Sequence, residues 1–346
     1  MGRGKYLVNL FTLILTLAVP VFAQSESSPV LEKVGTYQCG RQPKQVLFSP
    51  DGKFIIMPLL DDDGFDIFSV EEKKIVQRIN PPNSEKKGFA EGLFIPEHNA
   101  FLVSQMTTAK VYEYSYPNFT YRRTLETEGT WSKFIAWCHE KQLVAVSNWG
   151  SNDISLIDWN TGKVVRSIKT GAAPRGMVFT NGGECLISLS FDDGIIEKFS
   201  TESGKQIAKL EIENAAMRHI AVDAEEKYAY VSDMYHRSIY KINISAFSIV
   251  KTVRVFNNPN TIQLLNDKWL FVSSRGPNNP TDYTKRSPVN GKISVIKTED
   301  MSVELTIEGG NQPTGLAVSP NGQVLCFSNF QDATIELYKI SFSLSQ

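Results

Sequence analysis

The chain has 346 residues, 42% apolar and 21% charged, with 36 basic and 37 acidic side chains and a formal net charge of −1. That balance excludes a global attraction to nucleic acid or to an anionic membrane surface, so any electrostatic function must come from a local patch. The length suits two average domains or one large all-β domain.

Residues 1–23 read as a secretory signal peptide. Arg3 and Lys5 give a basic start, Leu7 to Val19 is mostly apolar and ends at Pro20, and Val21-Phe22-Ala23 offers small residues for cleavage before Gln24. The apolar run is too short to span a bilayer, and no other run approaches that length. The expectation is a periplasmic or extracellular protein, with no membrane span after cleavage and residues 24–346 forming a single domain.

Beyond the leader, a five-residue strand framework recurs about every 43 residues. It is read at Lys44–Phe48, Ala90–Phe94, Lys133–Trp137, Arg175–Phe179, Arg218–Val222, Asn260–Leu264 and Thr314–Val318. The steps between closing residues are 46, 43, 42, 43, 42 and 54. Seven repeats of this length with several short strands each predict an all-β, seven-bladed propeller of four-stranded antiparallel blades. The unit from Ser132 to Gly171 shows the plan. Leu143–Asn148 is an apolar strand, Trp149–Asp153 a turn, Ile154–Asp158 an alternating strand, Asn160–Lys163 a second turn and Val164–Ile168 a further strand.

The seventh unit holds only three good strands, because Ser341–Gln346 is thin for a fourth. Val30–Tyr37 has strand composition and is predicted to pair outside strand C of the last blade, closing the ring with both chain ends. Unit 6 is longer by 11 to 12 residues, and its extra segment, Arg275 to Asn290, falls between strands B and C. An insertion where regular blades need a short turn is either functional or a tolerated surface excursion. The four cysteines, Cys39, Cys138, Cys185 and Cys326, fall in different repeats, within or beside strands. That placement argues against disulfides, and Cys185 and Cys326 read as small buried hydrophobes.

Ser147-Asn148 followed by Asn152-Asp153-Ile154-Ser155-Leu156-Ile157-Asp158, then Asn160-Thr161-Gly162-Lys163, resembles the YVTN-repeat β-propellers. So do Ser49-Pro50-Asp51-Gly52 and Ser319-Pro320-Asn321-Gly322. The resemblance covers residues from about 30 to 340 and fades in unit 2, where Ile95-Pro96-Glu97-His98-Asn99 replaces the turn motif. It implies a bacterial exported recognition module. It is specific for fold and weak for function, since the motif residues serve turns and core.

In a four-stranded meander the D–A crossovers and B–C turns share one face, here called the top. The first residues of the A strands then rim the central channel: Lys44, Ala90, Lys133, Arg175, Arg218, Asn260 and Thr314. Four basic groups converging on a low-dielectric funnel attract an anion, unless the acidic residues of the same face pair with them. Those are Asp61 to Asp63, Glu91, Asp192, Asp193 and Asp332. The candidate binding set is Lys44, Glu91, Lys133, Trp149, Arg175, Arg218, His219 and His236, with Arg275, Tyr283, Lys285 and Arg286 from the unit 6 insertion. Trp149 reads either as a contact or as inter-blade packing, and Trp131, Trp137 and Trp269 as structural. His219 and His236 beside Asp233 are two imidazoles of one unit that packing explains as well as a metal does. No cofactor or metal is expected.

The first functional reading is a non-catalytic, monomeric platform holding an envelope or extracellular protein or polymer. The second is a lactonase-like or other hydrolytic enzyme, with Glu91, Arg175, Arg218, His219 and His236 as its only candidates. Nucleic acid is disfavoured by the net charge and by the lack of interleaved basic and aromatic residues.

Overall fold

Strands that alternate apolar and polar residues, separated by turns rich in Gly, Asn and Asp, pair into seven four-stranded antiparallel sheets set as blades around a channel. The computed structural model describes Met1 and residues 28–342; the expected leader therefore lies outside the described residues. Among the described residues, helix is confined to one short turn at Pro96–His98.

The innermost strands are Leu47–Phe48, Phe89–Ile95, Ser132–Cys138, Pro174–Thr180, Met217–Val222, Pro259–Leu265 and Pro313–Val318. They match the repeat phase read from the sequence. In blade 1 the A strand is shortened to two residues, with one further bridge between Pro43 and Leu59. Pro58 lies on the facing strand there and has no N–H to offer.

Burial peaks in the two middle strands of each blade and falls to the outermost. The B strands of blades 2 and 6, Ala100–Gln105 and Trp269–Ser274, are buried throughout. The outermost strand Gln206–Glu211 alternates between exposed and half-buried. Core clusters lie between blades rather than within them: Ile187, Leu189 and Ile196 of blade 4 pack on Met217, Ile220 and Val231 of blade 5. Each such side chain contributes about 1.5–3 kcal/mol of burial, which makes the ring cooperative. At the A–B turn of blade 1, Gly52 takes φ +72°, its N–H bonds the Ser49 carbonyl at 2.9 Å, and Ser49 Oγ donates to Asp51 Oδ1 at 2.8 Å.

The ring closes as expected. Pro29–Gln38 runs antiparallel outside Thr334–Phe342, from Pro29 opposite Phe342 to Gln38 opposite Thr334, with a bulge between Lys33 and Gly35. All four cysteines carry free thiols. One assignment is corrected: Cys326 is buried, but Cys185 is only half-buried and Cys138 takes the second buried position. Cys185 opens its B strand beside the lower face, where packing is incomplete.

Candidate functional site

The site begins with a backbone irregularity that the repeat multiplies. Six of the seven A strands carry a bulge directly after their first residue or within the next two. A bulge re-aims the side chains next to it, and here those are the channel-facing positions. A serine on the neighbouring B strand holds the bulge in five blades. The amides of Glu91, Phe134, His219, Thr261 and Gly315 donate to the hydroxyls of Ser104, Ser147, Ser232, Ser273 and Ser328, at 2.9–3.2 Å. Four of these hydroxyls also donate to the next blade's A strand, at the carbonyls of Lys133, Asn260, Thr314 and Pro43, 2.6–2.9 Å away. In the same register blade 1 has Pro58 and blade 4 has Leu189. Where the serine is missing in blade 4, Gly176 brings the backbones together. A Cβ on it would lie 3.1 Å from His219 Cα and 3.2 Å from Leu189 Cδ1.

This frame gathers Lys44, Lys133, Arg175 and Arg218 at the top of the channel, and Arg275 joins them from the start of the blade 6 insertion. Arg175 and Arg218 are 2% and 3% exposed. Among the described residues, one carboxylate reaches them: Glu91 Oε1 stands 3.5 Å from Arg175 Nη2 and 3.9 Å from Arg218 Nη2. Arg175 Nε and Nη1, Arg218 Nη1 and Arg275 Nε are buried with no hydrogen-bond partner. Two aromatic rings carry part of the charge. Lys133 Nζ lies 3.6 Å from the Trp149 ring centre and the Arg175 guanidinium 5.5 Å from it. Lys44 and Arg275 flank Phe330 at 5.3 and 5.1 Å.

The electrostatics follow from this crowding. Burial, then the Arg175 and Arg218 charges, push Lys133 down to about 6. Burial, then Arg218, Arg175 and Arg275, hold Lys44 well below the ordinary lysine value. Burial followed by Arg218 lowers Arg275 to about 10. Burial and Arg218 act in the same direction on Arg175, although a guanidinium keeps its proton in proteins. His219, one residue beyond Arg218, is pushed down to about 3 by burial and the two arginines, and is neutral at physiological pH. Its ring packs edge-on against Phe134, and its Nδ1 has no partner. It also lines a cavity of about 580 Å³ formed by the lower A-strand ends, with Phe48, Val222, Leu264 and Val318.

The other acidic residues of the top face do not neutralise the cluster. Asp61 and Asp62 pair with Arg41, Asp62 also with Arg78, and Asp332 with Arg286. Asp193 accepts the Ala172 amide at 2.5 Å. Asp192 acts on Lys133 only through its field.

His236 stands apart from the channel site. Its Nδ1 lies 2.7 Å from Asp233 Oδ2, and that carboxylate also accepts Tyr240 Oη at 2.8 Å. The two imidazoles therefore serve different neighbours, and no group of three or more His, Cys, Asp or Glu is placed for a metal among the described residues.

The insertion is a strap held down over blade 7. The Ser287 amide donates to Asn311 Oδ1 at 3.0 Å, Gln331 Nε2 to the Thr284 carbonyl at 2.7 Å, and Arg286 pairs with Asp332 at 2.6 Å. Gln312 links strap and channel: its Nε2 donates to the Lys285 carbonyl at 3.1 Å and its Oε1 accepts from Arg275. Tyr283 projects from the strap, 70% exposed.

Sequence reasoning assigned Trp131 a structural role, but it is 52% exposed at φ +56°, beside Lys133. It precedes the first residue of its A strand, on the top rim rather than between sheets. The bulge-holding serines, Gln312 and Phe330's part in the cation cluster were also missed. A signal for the serines was present, since each stands next to last in its B strand.

No family model matches this chain. A relative from Leptospira interrogans serogroup Icterohaemorrhagiae serovar copenhageni (strain Fiocruz L1-130), Antigen Lp49, is 37% identical over 317 residues, covering 88% of this chain and 69% of the relative. At that identity and coverage, this seven-bladed propeller belongs to the Antigen Lp49 family.

Proposed function

We propose that the protein is an exported binding platform that uses its top face to hold an envelope or extracellular protein or polymer through an anionic group. The observation that carries this reading is the channel mouth, where five basic side chains, two of them buried arginines, meet one ion-paired carboxylate. Uncompensated buried cations cost stability, and a ligand anion supplies the missing charge. The exposed Trp131, Tyr235 and Tyr283 frame the same face with amphipathic contact area. The blades are read as YVTN-type repeats on the turn motifs, and the antigen name of the relative agrees with a molecule presented outside the cytoplasm.

The hydrolytic alternative has less support. Of its candidates, His236 is bound to Asp233 apart from the channel mouth, and the His219 ring packs edge-on against Phe134.

The test is capture from native envelope extract by the protein and by a Lys44→Glu, Lys133→Glu double variant of unchanged fold, with direct binding of the captured species measured afterwards. Retention by the native chain that weakens with salt and disappears in the variant is expected. Identical capture by both overturns the reading.

A further inference from the structure

The channel cluster has a more specific chemistry than attraction to negative charge. We infer that it is a phosphoryl-binding site in which Arg175, Arg218 and Arg275 hold the oxyanion and Glu91 accepts a hydrogen bond from the proton the ligand retains. This rests on the top-face reading and names the group that the face recognises.

Three features select the class. First, the unpartnered nitrogens belong to guanidinium groups: Arg175 Nε and Nη1, Arg218 Nη1 and Arg275 Nε are all buried without acceptors. Planar guanidinium forks donate pairwise to phosphate and carboxylate oxygens. Buried donors left unpaired are costly, and a ligand oxyanion supplies several acceptors at once. Second, the frame is fixed. Arg275 is anchored to Gln312, which is tied in turn to the strap through the Lys285 carbonyl. The amide of Glu91 and the carbonyl of Lys133 are held by Ser104, at 3.2 and 2.6 Å. The donors are thus positioned before a ligand arrives.

Third, Glu91 lies among the donors. An ionised carboxylate only accepts hydrogen bonds. It repels a fully ionised oxyanion, but it accepts a hydrogen bond from one that keeps a proton. A phosphoryl group has its second pKa at about 6, so it retains or regains that proton at little cost near neutral pH. Sulfate has no proton to offer there, and a dicarboxylate is largely ionised. Lys44 and Lys133 line the same mouth, stacked on Phe330 and Trp149.

Calorimetric titration of the purified protein at pH 6.5 with inorganic phosphate, a small phosphomonoester, sulfate and succinate tests this. One equivalent of phosphate or phosphomonoester is expected to bind, with sulfate and succinate at least about tenfold weaker, the difference one charged hydrogen bond makes. Tighter inorganic phosphate identifies a free anion as the natural ligand, and tighter phosphomonoester identifies an end group on a partner. Arg218→Met is expected to weaken phosphate about tenfold or more. Glu91→Gln, whose amide can donate, is expected to bring sulfate within a few-fold of phosphate. If either variant fails to fold, Lys133→Met, which alters a half-buried side chain, is expected to weaken phosphate at least severalfold.

Equal binding of sulfate and phosphate by the native protein, or binding unchanged in folded variants, overturns the assignment. Absence of phosphate binding while the extract partner is still captured overturns it alone and leaves the platform reading standing. Phosphate binding without a captured partner does the reverse.

Discussion

The outer and inner parts of the propeller treat charge in opposite ways. On the outer strands three buried carboxylates are matched by basic side chains. Asp66 takes Arg78 bidentately, Nε at 2.6 Å and Nη2 at 3.0 Å, and accepts the Gly40 amide at 2.7 Å. Glu113 takes Arg122 and Arg123. Glu336 takes Lys33 and two further donors, Asn329 and Tyr338. At the channel mouth five basic side chains crowd together, and among the described residues one carboxylate, Glu91, reaches Arg175 and Arg218. The chain is almost neutral overall, so the imbalance is one of placement and not of composition. A buried charge kept without a partner persists only where something outside the fold uses it, which is why the inner cluster reads as a site and the outer pairs as structure.

The contrast is broken most directly from the outside. Asp66→Ala leaves Arg78 and the Gly40 amide without their acceptor, and a loss of about 3 kcal/mol is expected. The lower end of the range applies because Arg78 is partly exposed and keeps Asp62 at 3.1 Å. Chemical denaturation measures it, and a loss under about 1 kcal/mol would place the pair with weak surface ion pairs. Next in size is Gly176→Val on the channel wall. Its branched side chain meets the blade 5 backbone at His219 and Ile220, so a loss of about 1–3 kcal/mol is expected. A variant melting at the native temperature would show that these A strands are not in contact as described.

Removing a cation from the mouth should act with the opposite sign. Lys133→Met keeps the contact with Trp149 and deletes a charge that burial and two arginines disfavour, so the ligand-free protein should gain about 1 kcal/mol. The pH dependence sharpens this. Native Lys133 gives up its proton near pH 6, whereas the unfolded chain holds it to about 10.5. Between those values the unfolded state binds more protons, so native stability rises with pH through this residue. The penalty is fully present below about pH 6 and is relieved above it. The advantage of Lys133→Met in melting temperature should therefore shrink from pH 6 to pH 9. A constant advantage would mean that Lys133 titrates normally.

The sequence disclosed the frame of this site better than its chemistry. Repeat spacing located Lys44, Lys133, Arg175 and Arg218 on one rim, because a propeller places equivalent residues on a circle. It also placed the strap on the same face. Whether acids of that face neutralise the rim was not legible. Asp62 and Asp332 lie near the cluster in the fold plan, yet side-chain reach gives them to Arg78 and Arg286. Arg275 was counted with the strap, and only the chain path after its B strand carries it inward against Phe330. His219 and His236 stand 17 residues apart on one blade, and a strand's worth of register sends one to the channel wall and the other to a turn carboxylate.

The smallest stability effect belongs to the strap, where the two regimes meet. Arg286 behaves as an outer residue, matched by Asp332, while the Lys285 carbonyl reaches the channel through Gln312. Tyr283 takes part in neither connection. It is 70% exposed, and the hydrogen bonds that hold the strap come from Asn311, Gln312 and Gln331. Tyr283→Ala should therefore change stability by less than about 0.5 kcal/mol. It should leave small-anion binding untouched, because the Gln312 link to Arg275 does not pass through it. Its effect should fall on a large partner alone, since an exposed aromatic at the rim gains contact area only when a second surface covers it. Titrating native and Tyr283→Ala proteins with both ligands separates the two roles. A loss of anion binding would mean that the strap tip governs the channel, and an unchanged partner affinity would confine recognition to the mouth itself.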